Sequence, residues 1–248
     1  MSHRIVTWAE RFDLYETADQ ILCSGWDEFL LNNKLVDEYW ERFVNGFQEY
    51  QVMLMEGEEI LAIINTLPLC FEEPFDQLPD GGWEWGFVKA IDDAAQGKKP
   101  NMLFGVQVVI NPAHQGKGLS RIAVQEMRSV ALKHGFSTIV IPLRPSLKSS
   151  CPLIPMEDYL AAKDARERCF DPWLRVHLEA GAEICRVCPD SYLIEGSIEE
   201  WKRWTGRSFP CSGSYVIPGA LCPVEIDLEK DRGRYVEPNV WIVHHLGK

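Results

Sequence analysis

The stretch that decides the fold is Val109-Ile-Asn-Pro-Ala-His-Gln-Gly-Lys-Gly-Leu-Ser120, a predicted strand followed by a glycine-rich turn that opens a helix. Gly116 and Gly118 allow the backbone to turn tightly and to approach a ligand closely. The first N–H groups of a helix have no partners inside it, and with the positive helix end they favour a phosphate or pyrophosphate. The stretch therefore predicts an anion-binding turn, the alternative being an ordinary strand-to-helix connection.

The charge around this turn differs from that of the whole chain. The 248 residues carry a net charge of −12, which argues against nucleic-acid binding because a field of that sign repels phosphate backbones. Residues 112–148 nevertheless contain six basic residues and one acid, whereas residues 56–93 contain ten acids and one lysine. The basic segment favours a small anionic ligand at the turn, and the acidic one either faces a cation or is solvated.

Composition and length indicate one globular domain. Hydrophobic residues make up 46% of the chain and charged residues 25%, and apolar stretches such as Ile60–Leu69 are far shorter than the roughly 20 residues that span a membrane. We therefore expect no membrane association. The first residues lack the apolar run of a signal peptide, so the predicted location is cytoplasmic.

The eight cysteines are expected to be reduced and mostly buried, since nothing in the sequence indicates export. Cys185 and Cys188 are the one pair with metal-like spacing, but a separation of three in a strand points side chains to opposite faces. A zinc site that adds Cys211 and Cys222 is the less favoured alternative, and we expect no metal.

Hydrophobic spacing predicts a single α+β domain with a mixed sheet. Helices are predicted at residues 7–23, 34–46 and 119–134, near 156–168, from Asp171-Pro172 to Gly181, and at 198–204. Strands are predicted at residues 51–55, 59–64, 103–110, 138–143, 183–187, 192–194, 224–228 and 235–244. Residues 68–100 are predicted to form a loop and a short helix.

The turn also resembles a known motif. Gln115-Gly-Lys-Gly-Leu-Ser120 is similar to the [RQ]-x-x-G-x-[GA] acetyl-CoA loop of the GNAT N-acetyltransferase superfamily, with Ser120 where Gly or Ala is usual. A helix ending at Gly181 and a strand starting at Ala182 resemble the family's fourth helix and sixth strand. The resemblance covers residues 50–190, and the later segments WKRWTG, YVIPGAL and EPNVW resemble an uncharacterised bacterial group of GNAT-like proteins.

This resemblance implies a GNAT-like acyl-CoA-binding fold, a mixed central β-sheet flanked by helices. One domain, 1–248, would then carry an acidic insertion at about 68–100 and a C-terminal extension at about 195–248. Acetyl-CoA, or another acyl-CoA, is the implied cosubstrate, with its pyrophosphate on the loop amides and its pantetheine along the preceding strand. The implied binding residues are Val108, Val109, Ile110, Gln115, Gly116, Lys117, Gly118, Leu119 and Ser120. Lys117 or Arg121 would add charge to the phosphates, or is simply solvated.

The resemblance also suggests catalytic residues. Many family members have a tyrosine four residues before the glycine that closes the fourth helix, and it protonates the departing thiolate; His177 occupies that position here. A histidine is able to do this work at neutral pH, the alternative being a partly exposed histidine bonded to a neighbour. Residues 101–110 lack the family's common strand carboxylate. The base is then Glu84, Asp92, His244 or a water chain, or it is absent.

The acidic segment suggests what the acceptor is. Trp83 and Trp85, with Asp80 and Glu84, suit a cationic amine through cation–π and charge contacts. The alternative is a solvated lid whose tryptophans pack onto the domain. Arg144, after the central strand, binds the coenzyme's phosphates or a substrate carboxylate, or pairs with nearby acids.

We favour an enzyme that moves an acetyl or other acyl group from acyl-CoA to an amine of a small molecule by direct attack. Its strand amides would polarise the thioester carbonyl. The alternative is an acyl-CoA-binding or regulatory protein without turnover, and a third, weaker one is hydrolysis or decarboxylation of the acyl-CoA. Trp201, Trp204 and Trp241 either close the core or form a homodimer interface.

Overall fold

The computed structural model describes residues 3–247. The strands are β1 Arg4–Thr7, β2 Gln51–Glu56, β3 Glu59–Leu69, β4 Met102–Ile110, β5 Thr138–Leu143, β6 Ala182–Gly196, β7 Gly213–Tyr215, β8 Val224–Asp227 and β9 Arg232–His245. The helices are α1 Tyr15–Ser24, α2 Lys34–Gly46, α3 Gly82–Ala95, α4 Leu119–Lys133, α5 Met156–Ala161, α6 Pro172–Glu179 and α7 Ile198–Thr205.

All nine strands belong to one mixed sheet. Its order is β1-β2-β3-β4-β5-β9-β8-β7, and β6 pairs with the other edge of β9. β4 and β5 are parallel, and the other pairs are antiparallel. β9 thus lies between β5 and β6, so residues 232–245 belong to the central sheet. The segment predicted as a C-terminal extension, 195–248, thus includes a strand of the central sheet.

Helices cover both faces of the sheet. On one face, α1, α2 and α3 bury Leu22, Phe43 and Phe87 against β3 and β4. On the other face, α4, α5 and α6 pack apolar residues such as Met127 and Leu174 against β5 and β9. Trp201 and Trp204 of α7 are buried in a third cluster, and Trp241 lies in the first, which confirms the core role for all three. No helix in residues 3–247 combines the length and apolar character that a membrane crossing requires.

Local sequence signals explain where several helices begin. Asn33 caps α2 by accepting hydrogen bonds from the amides of Leu35 and Val36. Asp171 caps α6 in the same way and is followed by Pro172, a residue suited to the first helical turn. Such side chains satisfy amides that the helix itself leaves without partners. They explain why these starts matched the predictions.

Several predicted elements differ from the structure; the helix predicted near 156–168, for example, ends at Ala161. The helix predicted at 7–23 begins only at Tyr15, where α1 starts: Thr7 is the last residue of β1, which pairs with β2, and residues 8–14 form a turn and a short 3-10 helix. The strands predicted at 183–187 and 192–194 are one strand, β6, interrupted by two irregularities in its pairing with β9. The segment 68–100 is a loop followed by a helix, as predicted, but the helix, α3, has 14 residues and is not short.

All eight cysteines are free thiols, as expected, but only Cys169 and Cys188 are buried. The prediction that they are mostly buried is therefore wrong. Cys185 falls at the first irregularity of β6, between Ile184 and Arg186. Residues 3–247 contain no group of three or more metal-ligating side chains in an arrangement that would hold an ion.

Candidate active site

The site begins where β4 and β5 part. These parallel strands pair at Leu103 with Ile139 and at Phe104 with Val140, and beyond that point β5 pairs with β9 alone. Gly105 lies at the divide, where a Cβ atom would come within 2.8 Å of Ile141 Cγ1. A larger residue would therefore push apart the strands that frame the opening.

A bulge in β4 lies at the same level. Gly105 pairs with Thr66 and Gln107 with Asn65, so Val106 has no partner residue on β3. Apolar residues 102, 104 and 106 face the first core cluster. After the bulge the alternation of side chains is shifted by one residue, so Val109 faces this cluster. A bulge leaves ladder groups without their usual partners. Backbone groups of β4 are thereby made available beside the opening.

A cleft of about 1210 Å³ passes through this opening. Its middle is lined by residues 105–110 of β4 and 141–143 of β5. One end reaches Gln115 and Ser120 at the start of α4, and we call it the cofactor end. The other end is lined by α1 and α2, and we call it the acceptor end. The predicted residues Val108, Val109 and Ile110 thus lie on the cleft wall.

The glycine turn forms the cofactor end. Gly116 and Gly118 have φ values of 76° and 75°, in the left-handed region that glycine adopts without strain. The amides of residues 116–118 donate to no acceptor within residues 3–247. With the first amides of α4 they surround a hollow of about 200 Å³, lined by Ile110, His114, Gln115, Gly116, Gly118, Leu119 and Ser120. Converging amides at a helix N-terminus fit a pyrophosphate.

Two basic side chains flank this turn. Lys117 Nζ donates to His114 Nδ1 over 2.9 Å, and His114 Nε2 contacts Glu59 over 2.7 Å. Arg121 forms an exposed ion pair with Glu179 at 2.7 Å. Both cations thus have protein partners, and the backbone amides are the groups left for an anion.

His177 lies on α6 and lines the cleft, with no exposed surface. Its Nδ1 is 2.8 Å from His244 Nε2, and Trp173 packs edge-to-face against its ring at a centroid distance of 4.3 Å. Burial, and then His244, lower the pKa of His177 well below its ordinary value. His177 is thus buried and not partly exposed, but it is bonded to a neighbour, as the alternative expected; its role in catalysis remains a prediction.

The candidate bases do not line the cleft. Glu84 accepts hydrogen bonds from Asn33 Nδ2 at 2.6 Å and from the Leu193 amide at 2.7 Å. Asp92 is paired with Arg42 at 2.9 Å, and His244 is engaged with His177. Each of the three is thus bonded to a protein group, and none lies on the cleft wall.

Three carboxylates that the sequence did not single out lie at the acceptor end. Asp19 of α1 and Asp37 and Glu41 of α2 line the cleft, and they form no ion pair within residues 3–247. Desolvation raises the pKa of Asp19, which is half-buried. The rings of Tyr15, Trp26 and Trp40 line the same end. Acids together with aromatic faces suit a cation.

The floor beside them holds a buried ion pair. Arg144 Nε donates to both oxygens of Glu237 at 3.0 Å, and Arg144 also donates to the Gly219 carbonyl. Tyr235 and Asn239 donate to the same carboxylate, which is 3% exposed. Of the uses predicted for Arg144, the structure supports pairing with an acid.

The acidic segment contributes less to the acceptor end than predicted. Trp83 lines the cleft, but its Nε1 donates to the Val106 carbonyl at 2.7 Å. Trp85 packs against Phe71 and Trp241, and Asp80 pairs with Arg186. The alternative in which these tryptophans pack onto the domain is therefore confirmed.

Comparison with known proteins gives the family. No protein-family profile matches the chain. The arginine N-acetyltransferase avaD of Aspergillus versicolor is 34% identical over 275 residues, which cover 98% of this chain and 94% of that protein. The chain belongs to the GNAT N-acetyltransferase superfamily. It is a CoA-dependent acetyltransferase that moves an acyl group from acyl-CoA to an amine, which confirms the predicted family and reaction.

Two solved structures share the fold of this GNAT enzyme. The loading GNATL domain of CurA from Lyngbya majuscula has a TM-score of 0.61 at 15% identity, over 99% of this chain and 98% of that one. The GphF GNAT-like decarboxylase, in complex with isobutyryl-CoA, has a TM-score of 0.53 at 14% identity over 100% of both chains. Such identities support the fold alone, and they confirm the predicted mixed sheet flanked by helices.

Proposed function

We propose that this enzyme transfers the acetyl group of acetyl-CoA to a small molecule that carries a guanidinium or another cationic amine, arginine being the first candidate. The observation that carries the proposal is the charge of the cleft. One end presents unpartnered backbone amides, and the other presents Asp19, Asp37 and Glu41 without cationic partners in residues 3–247. The name of the Aspergillus relative supports the same substrate class.

Acetyl-CoA would bind through the backbone of the cofactor end. Gly116 to Ser120 would hold the pyrophosphate with their amides, and the exposed edge of β4 at Val108 to Ile110 would pair with the pantetheine. Gln115 lines both hollows and would close the turn over the phosphates. The thioester would then reach the opening between β4 and β5.

The chemistry requires one bond to form and one to break. The acceptor nitrogen attacks the thioester carbonyl carbon as a neutral amine, an ammonium acceptor first releasing one proton to water, and the oxyanion that develops is stabilised by amides near the Val106 bulge. The carbon–sulfur bond then breaks, the nitrogen loses one proton to water, and the thiolate takes one proton from water. The products are the N-acetyl acceptor and CoA thiol. His177, beside the opening, assists the departure of sulfur.

The acceptor end would select the cation. A guanidinium placed among Asp19, Asp37 and Glu41 gains charge contacts and stacks on the rings of Trp26 or Trp40. A neutral molecule of the same shape gains neither. Charge, more than shape, would therefore decide which acceptor is used.

The test is thiol release from acetyl-CoA with arginine, agmatine, Nα-blocked arginine and citrulline, a neutral near-isostere of arginine. We expect arginine to exceed citrulline about tenfold or more in kcat/KM, the size of one well-placed charge contact. Mass spectrometry of the products identifies the acetylated nitrogen. Equal rates with citrulline would overturn the cationic acceptor. Tight binding of acetyl-CoA by calorimetry with no thiol release from any acceptor would instead support a binding protein.

A further inference from the structure

Three side chains from three elements form a chain of contacts that ends at the cleft. Arg128 of α4 donates from Nη1 to the Ala180 carbonyl at 2.8 Å and contacts His244 Nδ1 at 3.4 Å. His244 of β9 contacts His177 Nδ1 through its own Nε2 at 2.8 Å. Both imidazoles are 0% exposed. The order is therefore Arg128, His244, His177 and then the cleft wall.

The positions of the protons follow from the chemistry of the first member. A guanidinium only donates hydrogen bonds, so His244 Nδ1 is the acceptor and carries no proton. The proton of neutral His244 is then on Nε2, which donates to His177 Nδ1. His177 in turn carries its proton on Nε2. One arginine thereby sets the tautomer of both histidines.

The last proton has no acceptor in the protein. His177 Nε2 is buried and makes no hydrogen bond within residues 3–247. A buried donor without an acceptor costs free energy, and such a cost is usually explained by a functional need. Since His177 lines the cleft and packs against Trp173, a molecule bound in the cleft is the candidate for the missing acceptor.

We propose that Arg128 and His244 are positioning residues that hold His177 as a neutral imidazole, with its Nε2–H directed at the sulfur of the thioester. The inference rests on the proposed function, because the sulfur is that of acetyl-CoA. A neutral imidazole that donates a hydrogen bond stabilises developing negative charge without giving up its proton. In this protein it stabilises the departing thiolate, which takes its proton from water.

Burial supports the neutral state of both rings. Desolvation, then Arg128 and His245, lower the pKa of His244 to about 4. The charged and titratable groups near the pair are therefore Arg128 on α4 and His245 on β9, both of which oppose protonation. At neutral pH both histidines are therefore uncharged, and neither competes with the thiolate for a proton from water.

The test combines matched variants of the two histidines. A glutamine side chain keeps an N–H donor close to the position of imidazole Nε2, whereas leucine and phenylalanine remove it. We expect His177→Phe to lower kcat about 100-fold and His244→Leu about tenfold, with the KM for acetyl-CoA unchanged. His177→Gln and His244→Gln should stay within about threefold, and Arg128→Lys should exceed Arg128→Met. Wild-type kcat in His244→Leu would overturn the proposal.

A second measurement does not depend on turnover. In ¹⁵N-histidine-labelled wild-type protein with CoA bound, we expect His177 to show a protonated Nε2 and an unprotonated Nδ1 from pH 6 to 8. The reverse tautomer, or an imidazolium in this range, would overturn the proposal even if the enzyme turned out to have no acceptor. For the kcat comparison of the histidine variants, His134→Leu is the control. His134 Nε2 is also buried without a partner, but the ring stacks on Tyr50 and lines no part of the cleft.

Discussion

The two ends of the cleft are built by different means. The cofactor end is a continuous turn, residues 115–120, whose backbone amides are the groups proposed to bind the cofactor. The acceptor end brings together side chains of α1, α2 and β9, which are far apart in the sequence. Backbone recognition needs only the correct φ values and therefore leaves a short motif. Recognition by side chains depends on the whole fold and leaves no short motif in the sequence.

The charges differ in the same way. At the cofactor end Lys117 and Arg121 are engaged with protein groups, and the attraction for an anion comes from peptide dipoles. At the acceptor end Asp19, Asp37 and Glu41 carry formal charge without a cation in residues 3–247. We therefore expect cofactor binding to tolerate changes of surface charge and acceptor binding to be sensitive to them.

The largest expected effect is at the floor of the acceptor end. Arg144→Met leaves the Glu237 carboxylate buried without its cation, and we expect the unfolding free energy to fall by about 3–5 kcal/mol. The double variant Arg144→Met/Glu237→Gln removes the buried charge and should recover most of that loss. Urea denaturation measures both. If the double variant is as unstable as the single one, the buried charge is not the cause.

Next in size is the effect of the acceptor carboxylates. Asp19→Asn/Asp37→Asn/Glu41→Gln should raise the KM for the cationic acceptor about 10- to 30-fold, or about 2 kcal/mol, since charge contacts are removed without changing shape. The KM for acetyl-CoA should not change. Glu38→Gln is the control, an exposed acid of α2 that does not line the cleft. Steady-state kinetics with each substrate varied in turn separates the two ends.

The histidine pair predicts a pH-dependent stability. His177 and His244 have pKa values below 6.5 in the folded protein, and the unfolded chain binds protons first as the pH falls. The contribution of the two histidines to the free energy of unfolding is thus fully present above pH 6.5. It is lost as the pH falls toward 4, by about 1.4 kcal/mol per pH unit for one proton. Urea midpoints at pH 7.5 and 5.0 test this. His177→Gln/His244→Gln should reduce the slope, and an unchanged slope would contradict it.

The smallest expected effect compares two glycines at opposite ends of α4. Gly118 and Gly135 have φ values of 75° and 79°, and an added Cβ at either would meet nothing within 4 Å. Alanine should therefore cost each about 1 kcal/mol of stability. Only Gly118→Ala should also raise the KM for acetyl-CoA, by a few-fold, because only that turn is proposed to hold the pyrophosphate. An equal KM in both variants would mean that the turn does not bind the cofactor.

The sequence predicted those parts of the fold whose signals are local. The hairpin of β2 and β3, the strand β5 and the helix α4 follow from hydrophobic spacing and turn residues. The helix predicted at 7–23 begins too early: Thr7 belongs to β1, which is set by its pairing with β2, and no local pattern indicates that pairing. The sequence also did not predict that β9 is a central strand, because its partners β6 and β5 lie about 40 to 100 residues earlier in the chain.

The candidate site also has parts that local sequence signals indicate and parts that they do not. The turn at 115–120 was found from its glycines, and His177 from its place before Gly181. Asp19, Asp37 and Glu41 were missed because each looks like a solvated helix residue. Their only signal in the sequence is the helical spacing of Asp37 and Glu41, which places them on one face of α2. The partners of His177 depend on β9 and could not be inferred locally.

The position of β9 also sets the order in which the enzyme becomes complete during synthesis. β5 ends at Leu143, but the strand that covers its second edge is made only when residue 245 has been added. Until then the apolar edge of β5 and the whole of β6 lack their partner, and such edges invite pairing with other chains. We therefore expect the nascent chain to depend on chaperones over that interval. Any chain stopped before β9 would lack His244, Glu237 and Trp241 together, and with them the floor of the acceptor end and the partner of His177.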